Sequence, residues 1–227
     1  MAKQTDYRQT NASKRPESPT GASDKAQYQQ DLSAIRTMME RSSRFISLSG
    51  LSGVAAGLTA LLGGGYAYFL VNEAGRDYLT HTSLSYSGDL MTRLILLALI
   101  VLVLALGLAT YFTVRKSKKA ALSIWTTATK QLLSALFVPL VIGGICCIAL
   151  IYHGHIELVA PATLIFYGLS LLNASKYTYT EIYYLGILEA ALGLMSSFLV
   201  GYGLIFWMLG FGVLHIVYGI VMQRKYR

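Results

Sequence analysis

A lone carboxylate, Glu189, stands in the middle of one apolar run, and a lone imidazole, His215, stands in the next. If the chain turns at Tyr202, each lies thirteen residues from the turn. That is about 20 Å along a helix, so an antiparallel hairpin brings the two to the same depth. A charged side chain within lipid is costly, and a Glu–His hydrogen bond would satisfy both groups without exposing charge. As chemistry, such a pair is a proton-binding or ligand-sensing site, because histidine titrates near physiological pH. As structure, it is a polar clasp between two helices. The clasp is the preferred reading, since no chain of further acids leads to the pair. Ser196, Ser197 and Tyr218 are spaced to extend it.

A second cluster is His153, His155 and Glu157, in the segment HGHIE. Two imidazoles and a carboxylate are metal-ligand types, with His81 the candidate to complete a set of four. A short connection also simply needs polar, turn-forming residues, and that reading is favoured. Cys146 and Cys147 are adjacent inside an apolar run and match neither a disulfide framework nor a zinc spacing. No P-loop, G-x-S-x-G, H-E-x-x-H or C-x-x-C motif occurs. The expectation is therefore a protein without enzymatic activity and without a cofactor. A membrane-embedded metal hydrolase built on His153 and His155 is kept as a weak alternative.

These groups must be positioned by helices in lipid. The chain is 54% hydrophobic and 13% charged, too apolar for an ordinary soluble domain. The apolar runs predict an all-α membrane bundle with spans at 45–71, 91–114, 132–152, 157–173, 182–200 and 203–222. The fourth is the short one, with Pro161 in its first turns, where a missing N–H costs little. Tyr66, Tyr68, Tyr111, Phe112, Tyr152, Tyr177, Tyr179, Tyr183, Tyr184 and Tyr202 gather near the predicted borders, as interfacial aromatics do. Connections near 153–156 and 201–203 are so short that spans 3–4 and 5–6 form antiparallel hairpins.

Charge orients the bundle. Alternate polar segments hold seventeen of the nineteen Lys and Arg, leaving Arg76 and Arg93 on the other side. The basic set comprises the N-terminal segment, Arg115, Lys116, Lys118, Lys119, Lys130, Lys176 and the C-terminal Arg224, Lys225 and Arg227. Basic segments stay in the cytoplasm, so both termini are expected inside. The formal charge of +8 thus meets anionic lipid and the orientation rule, and no nucleic acid partner is expected. No cleavable signal is expected either, the first span serving for insertion.

Residues 1–30 are polar and predict a disordered cytoplasmic tail. Residues 31–44 read as an amphipathic cytoplasmic pre-helix, with Leu32, Ile35 and Met39 on one face and Asp31 as N-cap. Residues 223–227 make a basic end. The loop 73–90 is polar and external. The stretch 115–131, with Ala121, Ile124, Trp125, Ala128 and Leu132 on one face, reads as an interfacial helix or a continuation of the second span. In the first span, Ser49, Gly53 and Gly57 form a small-residue stripe beside Ala56, Ala60 and Gly64. Such faces allow close helix approach, in a homo-oligomer or, preferred here, within one bundle. Gly50, Gly57, Leu58, Gly65 and Tyr66 also echo Gly186, Gly193, Leu194, Gly201 and Tyr202 at constant offset, a weak hint of a parallel repeat. Pro139 frees a carbonyl in span 3, and a packing role is preferred to gating.

The segments MMERSSRFISLSGLSG (38–53), APATLIFYGLSLLNASKYTYTEIYYLGILEAALGL (160–194) and GYGLIFWMLGFGVLHIVYGIVM (201–222) resemble a family of bacterial multi-pass, six-helix inner-membrane proteins to which no activity is attached. The resemblance implies a bacterial inner-membrane location and carries over no catalytic residue. Function is expected to be sensory, regulatory or in assembly. The partners would be the lipid bilayer and a soluble cytoplasmic protein met by the tail and the 115–131 loop. The alternative is a small proton-coupled transporter using Glu189 and His215.

Overall fold

The computed structural model describes residues 27–33, 35, 49–73, 88–119 and 125–226, and the chain divides into a unit ending at Glu40 and a unit beginning at Arg41. In the first unit, residues 27–33 form helix α1. Its side chains are exposed, Tyr28 and Leu32 among them. Two boundaries differ from expectation. Residues 27–30 are helical although composition assigns them to the tail, and Asp31 lies inside the helix instead of capping it. The run of Ala and Gln before Asp31 favours helix strongly enough to start it earlier. Residues 1–26, Met39, the loop carrying Arg76 and His81, and Ala121 and Ile124 lie outside the described residues.

The second unit is built of helices, with no strand among the described residues. They are α2 (Gly50–Glu73), α3 (Gly88–Lys119), α4 (Thr127–Tyr152), α5 (Val159–Ala174), α6 (Thr180–Phe198), α7 (Gly203–Trp207) and α8 (His215–Lys225). A π-helical segment, Met208–Leu214, joins α7 to α8 without a break, so residues 203–225 form one continuous helical stretch. Single 3-10 turns, Ile156–Leu158 and Ser175–Tyr177, flank α5.

Five helical segments are long and apolar enough to cross a membrane: α2, α3, α4, the stretch 156–177 around α5, and 203–225. The fourth is the shortest of the five at 22 residues, its 16-residue α-helix lengthened by the two 3-10 turns. The segment that falls short is α6, whose 19 residues include Glu181 and Glu189. The helix that falls short is the one that carries the buried acid.

Local chemistry explains the boundaries. Thr126 has an extended backbone, and its Oγ1 accepts a hydrogen bond from the Thr129 N–H at 3.2 Å, capping α4. At the other end His155 N–H donates to Leu150 O at 2.8 Å and Gly154 N–H to Ile151 O at 3.0 Å. This is a Schellman termination, and Gly154 supplies its left-handed residue at φ 82°. The stretch 115–131 is not one interfacial helix. α3 runs on to Lys119, α4 starts at Thr127, Ala128 and Leu132 are buried, and Trp125 is exposed between the two helices.

Pro139 lies inside α4 and has no N–H for Ala135 O. That carbonyl accepts instead from Asn173 Nδ2 on α5, at 2.9 Å. A defect in one helix thereby becomes a cross-link to its neighbour. It is a packing role.

Packing places α2, α5, α6 and the 203–225 stretch in the centre. α2 packs on α3 and α8, and α5 packs on α4 and α6. α3 and α4 are peripheral and present apolar side chains outward, such as Leu99, Val103 and Leu106 on α3 and Val141, Ile145 and Ile148 on α4. A surface of that kind suits lipid and not water.

Candidate functional site

The site lies where α6 meets the π segment and the start of α8. Two glycines bring α6 against α5. A Cβ on Gly186 would sit 2.9 Å from Gly168 O, and one on Gly193 would sit 2.8 Å from Ile165 N, so backbones nearly touch here. Glu189, between these glycines, is completely buried. Its Oε1 lies 3.2 Å from His215 Nδ1, so the hairpin spacing does bring the two residues together.

The imidazole is held at both nitrogens. Nδ1 hydrogen-bonds Gly210 O at 3.1 Å, and Nε2 hydrogen-bonds the Tyr167 hydroxyl at 2.8 Å. Gly210 has a second task. A Cβ there would collide with Glu189 Oε2 and come within 2.5 Å of Leu164 Cδ2, so only glycine lets the carboxylate in. Aromatic rings close the remaining side: Tyr167 stacks on His215 with centroids 5.4 Å apart and meets Phe211 at 4.9 Å. Trp207 adds a further ring against Phe211. π-helical turns are rare and concentrate at functional positions, and here one sets the register that delivers His215.

Among the proposed extensions, Ser197 Oγ donates to Gly193 O on its own helix, and the buried hydroxyls of Ser196 and Tyr218 have no hydrogen-bond partner among the described residues. Tyr167 and Gly210 have no place in the sequence reading. Tyr167 comes from a third helix, 48 residues before His215. The available signal for Gly210 was the glycine-rich run GFG beside the histidine.

The second cluster stays apart from this site. His155 Nδ1 lies 3.5 Å from Glu157 Oε1, while the His153 ring packs edge-on against Tyr152. Cys146, Ala149, Leu150, His153 and His155 line a shallow depression of about 370 Å³. No group of three metal-ligand side chains assembles among the described residues, and His81 lies outside them. The Schellman turn at Gly154 sets the path of this segment.

The small-residue stripe of α2 faces the 203–225 stretch. A Cβ on Gly53 would lie 3.1 Å from Gly219 Cα, and one on Gly57 would lie 2.6 Å from Gly212 O; Ser49 is buried beside them in sequence. Gly186 and Gly193, the echo of Gly50 and Gly57, face α5 instead, so the matched glycines meet non-equivalent neighbours.

At the basic end of the bundle, Glu181 accepts from Lys225 Nζ and from the Tyr226 hydroxyl, and Lys116 Nζ donates to Tyr226 O at 3.4 Å. Burial works to raise the Glu181 carboxyl, but hydrogen bonds from Lys225, its own backbone and Tyr226, with the Lys225 charge, hold it below the usual carboxylate range. No family model, no curated protein and no solved structure matches this chain.

Proposed function

We propose that this chain is a six-span inner-membrane protein of a bacterium, with both termini in the cytoplasm and a non-enzymatic sensory, regulatory or assembly role. Residues 182–200, most of them in α6, serve as the span that completes the six, with Glu181 at its basic border and Glu189 in its interior. The resemblance of residues 38–53 and 160–222 to bacterial six-helix membrane proteins supports the location, and the charge partition supports the orientation. The concentration of Arg and Lys on one side leaves a basic face for a soluble acidic partner or for anionic lipid.

The observation that carries the non-transport reading is the closed contact of Glu189 with His215. A conduction path needs water or a relay at the acid. Glu189 has no exposed surface, and Leu164, Gly210 and His215 fill the space around it. The test is capture from detergent extracts by the full chain against a chain lacking residues 1–44. A soluble partner lost on that deletion supports the reading; no deletion-dependent partner in either extract or anionic-lipid binding sinks it.

One observation favours the transporter alternative: a π-helical turn beside a buried acid is a place where helices can re-register. Proton-coupled flux in proteoliposomes that falls in Glu189→Gln and in His215→Ala would establish it. Absence of flux in the parent protein would remove it.

A further inference from the structure

Neither carboxylate oxygen of Glu189 accepts an aligned hydrogen bond among the described residues. The neighbouring nitrogen, His215 Nδ1, is 3.2 Å away, yet its hydrogen bond is directed to Gly210 O. Its other nitrogen is engaged by Tyr167. A neutral imidazole satisfies both of these contacts: Nδ1–H donates to the Gly210 carbonyl, and Nε2 accepts from the Tyr167 hydroxyl. Nothing in that arrangement is left to solvate an anion.

Every element packed around the acid gives the same answer. α5 contributes Tyr167 and the hydrocarbon of Leu164; the π segment, MLGFGVL, contributes no ionisable group; α8 contributes His215, while its Tyr218 lies by Tyr167 and toward Glu181, Tyr179 and Tyr226. The Lys and Arg of the described residues stand near helix ends or in connections, far along the chain from mid-α6. An anion buried without a donor aimed at it is far more costly than a neutral acid in the same place.

We infer that Glu189 is a proton-binding site, resting as a neutral carboxylic acid beside a neutral His215 imidazole. Moving that proton from Glu189 to the ring would leave the proton count unchanged and create a carboxylate and an imidazolium. The Nδ1–H of that imidazolium already points at Gly210, so the new anion gains little. Release of the proton to water instead requires α6 to part from the π segment, which couples the charge of the site to the seam between these helices. The inference rests on reading the pair as a closed contact, and it makes the proton the ligand of that contact.

The test is infrared difference spectroscopy of the full chain in vesicles at neutral pH, parent against Glu189→Gln. The expected result is a carbonyl-stretch band of a protonated carboxylic acid in the parent that is lost in the variant. Loss of a carboxylate band instead overturns the inference. If Glu189→Gln does not fold, nitrogen NMR of the parent decides. A neutral His215 with the proton on Nδ1 supports the neutral pair, and an imidazolium refutes it. Neither readout depends on partner capture, so failure here and failure of the regulatory reading are separately visible.

Discussion

Two of the seams that hold the 203–225 stretch in the bundle are made of opposite materials. Against α2, glycine meets glycine: a Cβ on Gly219 would lie 2.5 Å from Gly50 O and 2.6 Å from Val54 N. Against α6, a buried acid meets an imidazole next to a π-helical turn. The first seam is set by shape: the one titratable side chain seen against its glycines among the described residues, Tyr218, meets Gly53 through a ring carbon. The second depends on where a proton sits. A bundle with one fixed seam and one chargeable seam can hold its fold while one face responds.

The strongest way to break the comparison is to fill the glycine seam. Gly219→Val places methyl groups against backbone of α2 that cannot yield, and a loss of about 3 kcal/mol is expected from such overpacking. Thermal unfolding in one detergent measures it. Gly65→Val is the control, because a Cβ there meets nothing within 4 Å. Equal effects of the two substitutions would contradict the fixed seam.

Next in size is the Pro139 cross-link. Asn173→Leu leaves Ala135 O without its donor, at an expected cost of about 1–3 kcal/mol. Pro139→Ala returns an N–H to the helix, so Asn173→Leu should cost less in that background. An unchanged cost there would show that the Asn173 contact is incidental.

A smaller change sharpens the chargeable seam. Tyr167→Phe keeps the ring against Phe211 and His215 but removes the hydroxyl from Nε2, with an expected loss of about 1 kcal/mol. It should also alter the His215 nitrogen signals. Unaltered signals would dissociate Tyr167 from the site.

The smallest effect concerns Glu181. Its carboxyl is held below the ordinary range in the folded chain, so its contribution is present above the unfolded value, about 4.3, and is lost as pH falls through the lower folded value. Lys225 is largely exposed, and solvent screens the pair. Unfolding followed from neutral to acid pH should show slightly less acid sensitivity in Glu181→Gln than in the parent. The reverse order would contradict the assignment.

How much of this was legible depended on whether one turn sufficed to place the residues. Glu189 and His215 flank a single short connection, so counting residues from Tyr202 brings them level. Tyr167 sits on α5, and no single turn fixes its depth against α8. The π turn was hidden for another reason. In a run as uniformly apolar as MLGFGVL, an i→i+5 pattern leaves no mark on polarity. Pro139 was readable as a freed carbonyl, but its taker, Asn173, lies across a helix contact. Length alone points to 157–173 as the weak run, whereas in α6 two acids lower the apolarity of a longer helix. The helical tail residues 27–30 were missed because a polar composition hides good helix formers.

Glu189 and His215 form one direct, closed contact across the chargeable seam. A double-mutant cycle with Glu189→Leu and His215→Leu, followed by thermal unfolding in one detergent, tests it most directly. The two losses are expected to be non-additive, with a coupling of about 0.5–2 kcal/mol as for polar contacts between membrane helices. Strictly additive losses would mean that the two side chains do not share a contact, and the account of this seam would fail.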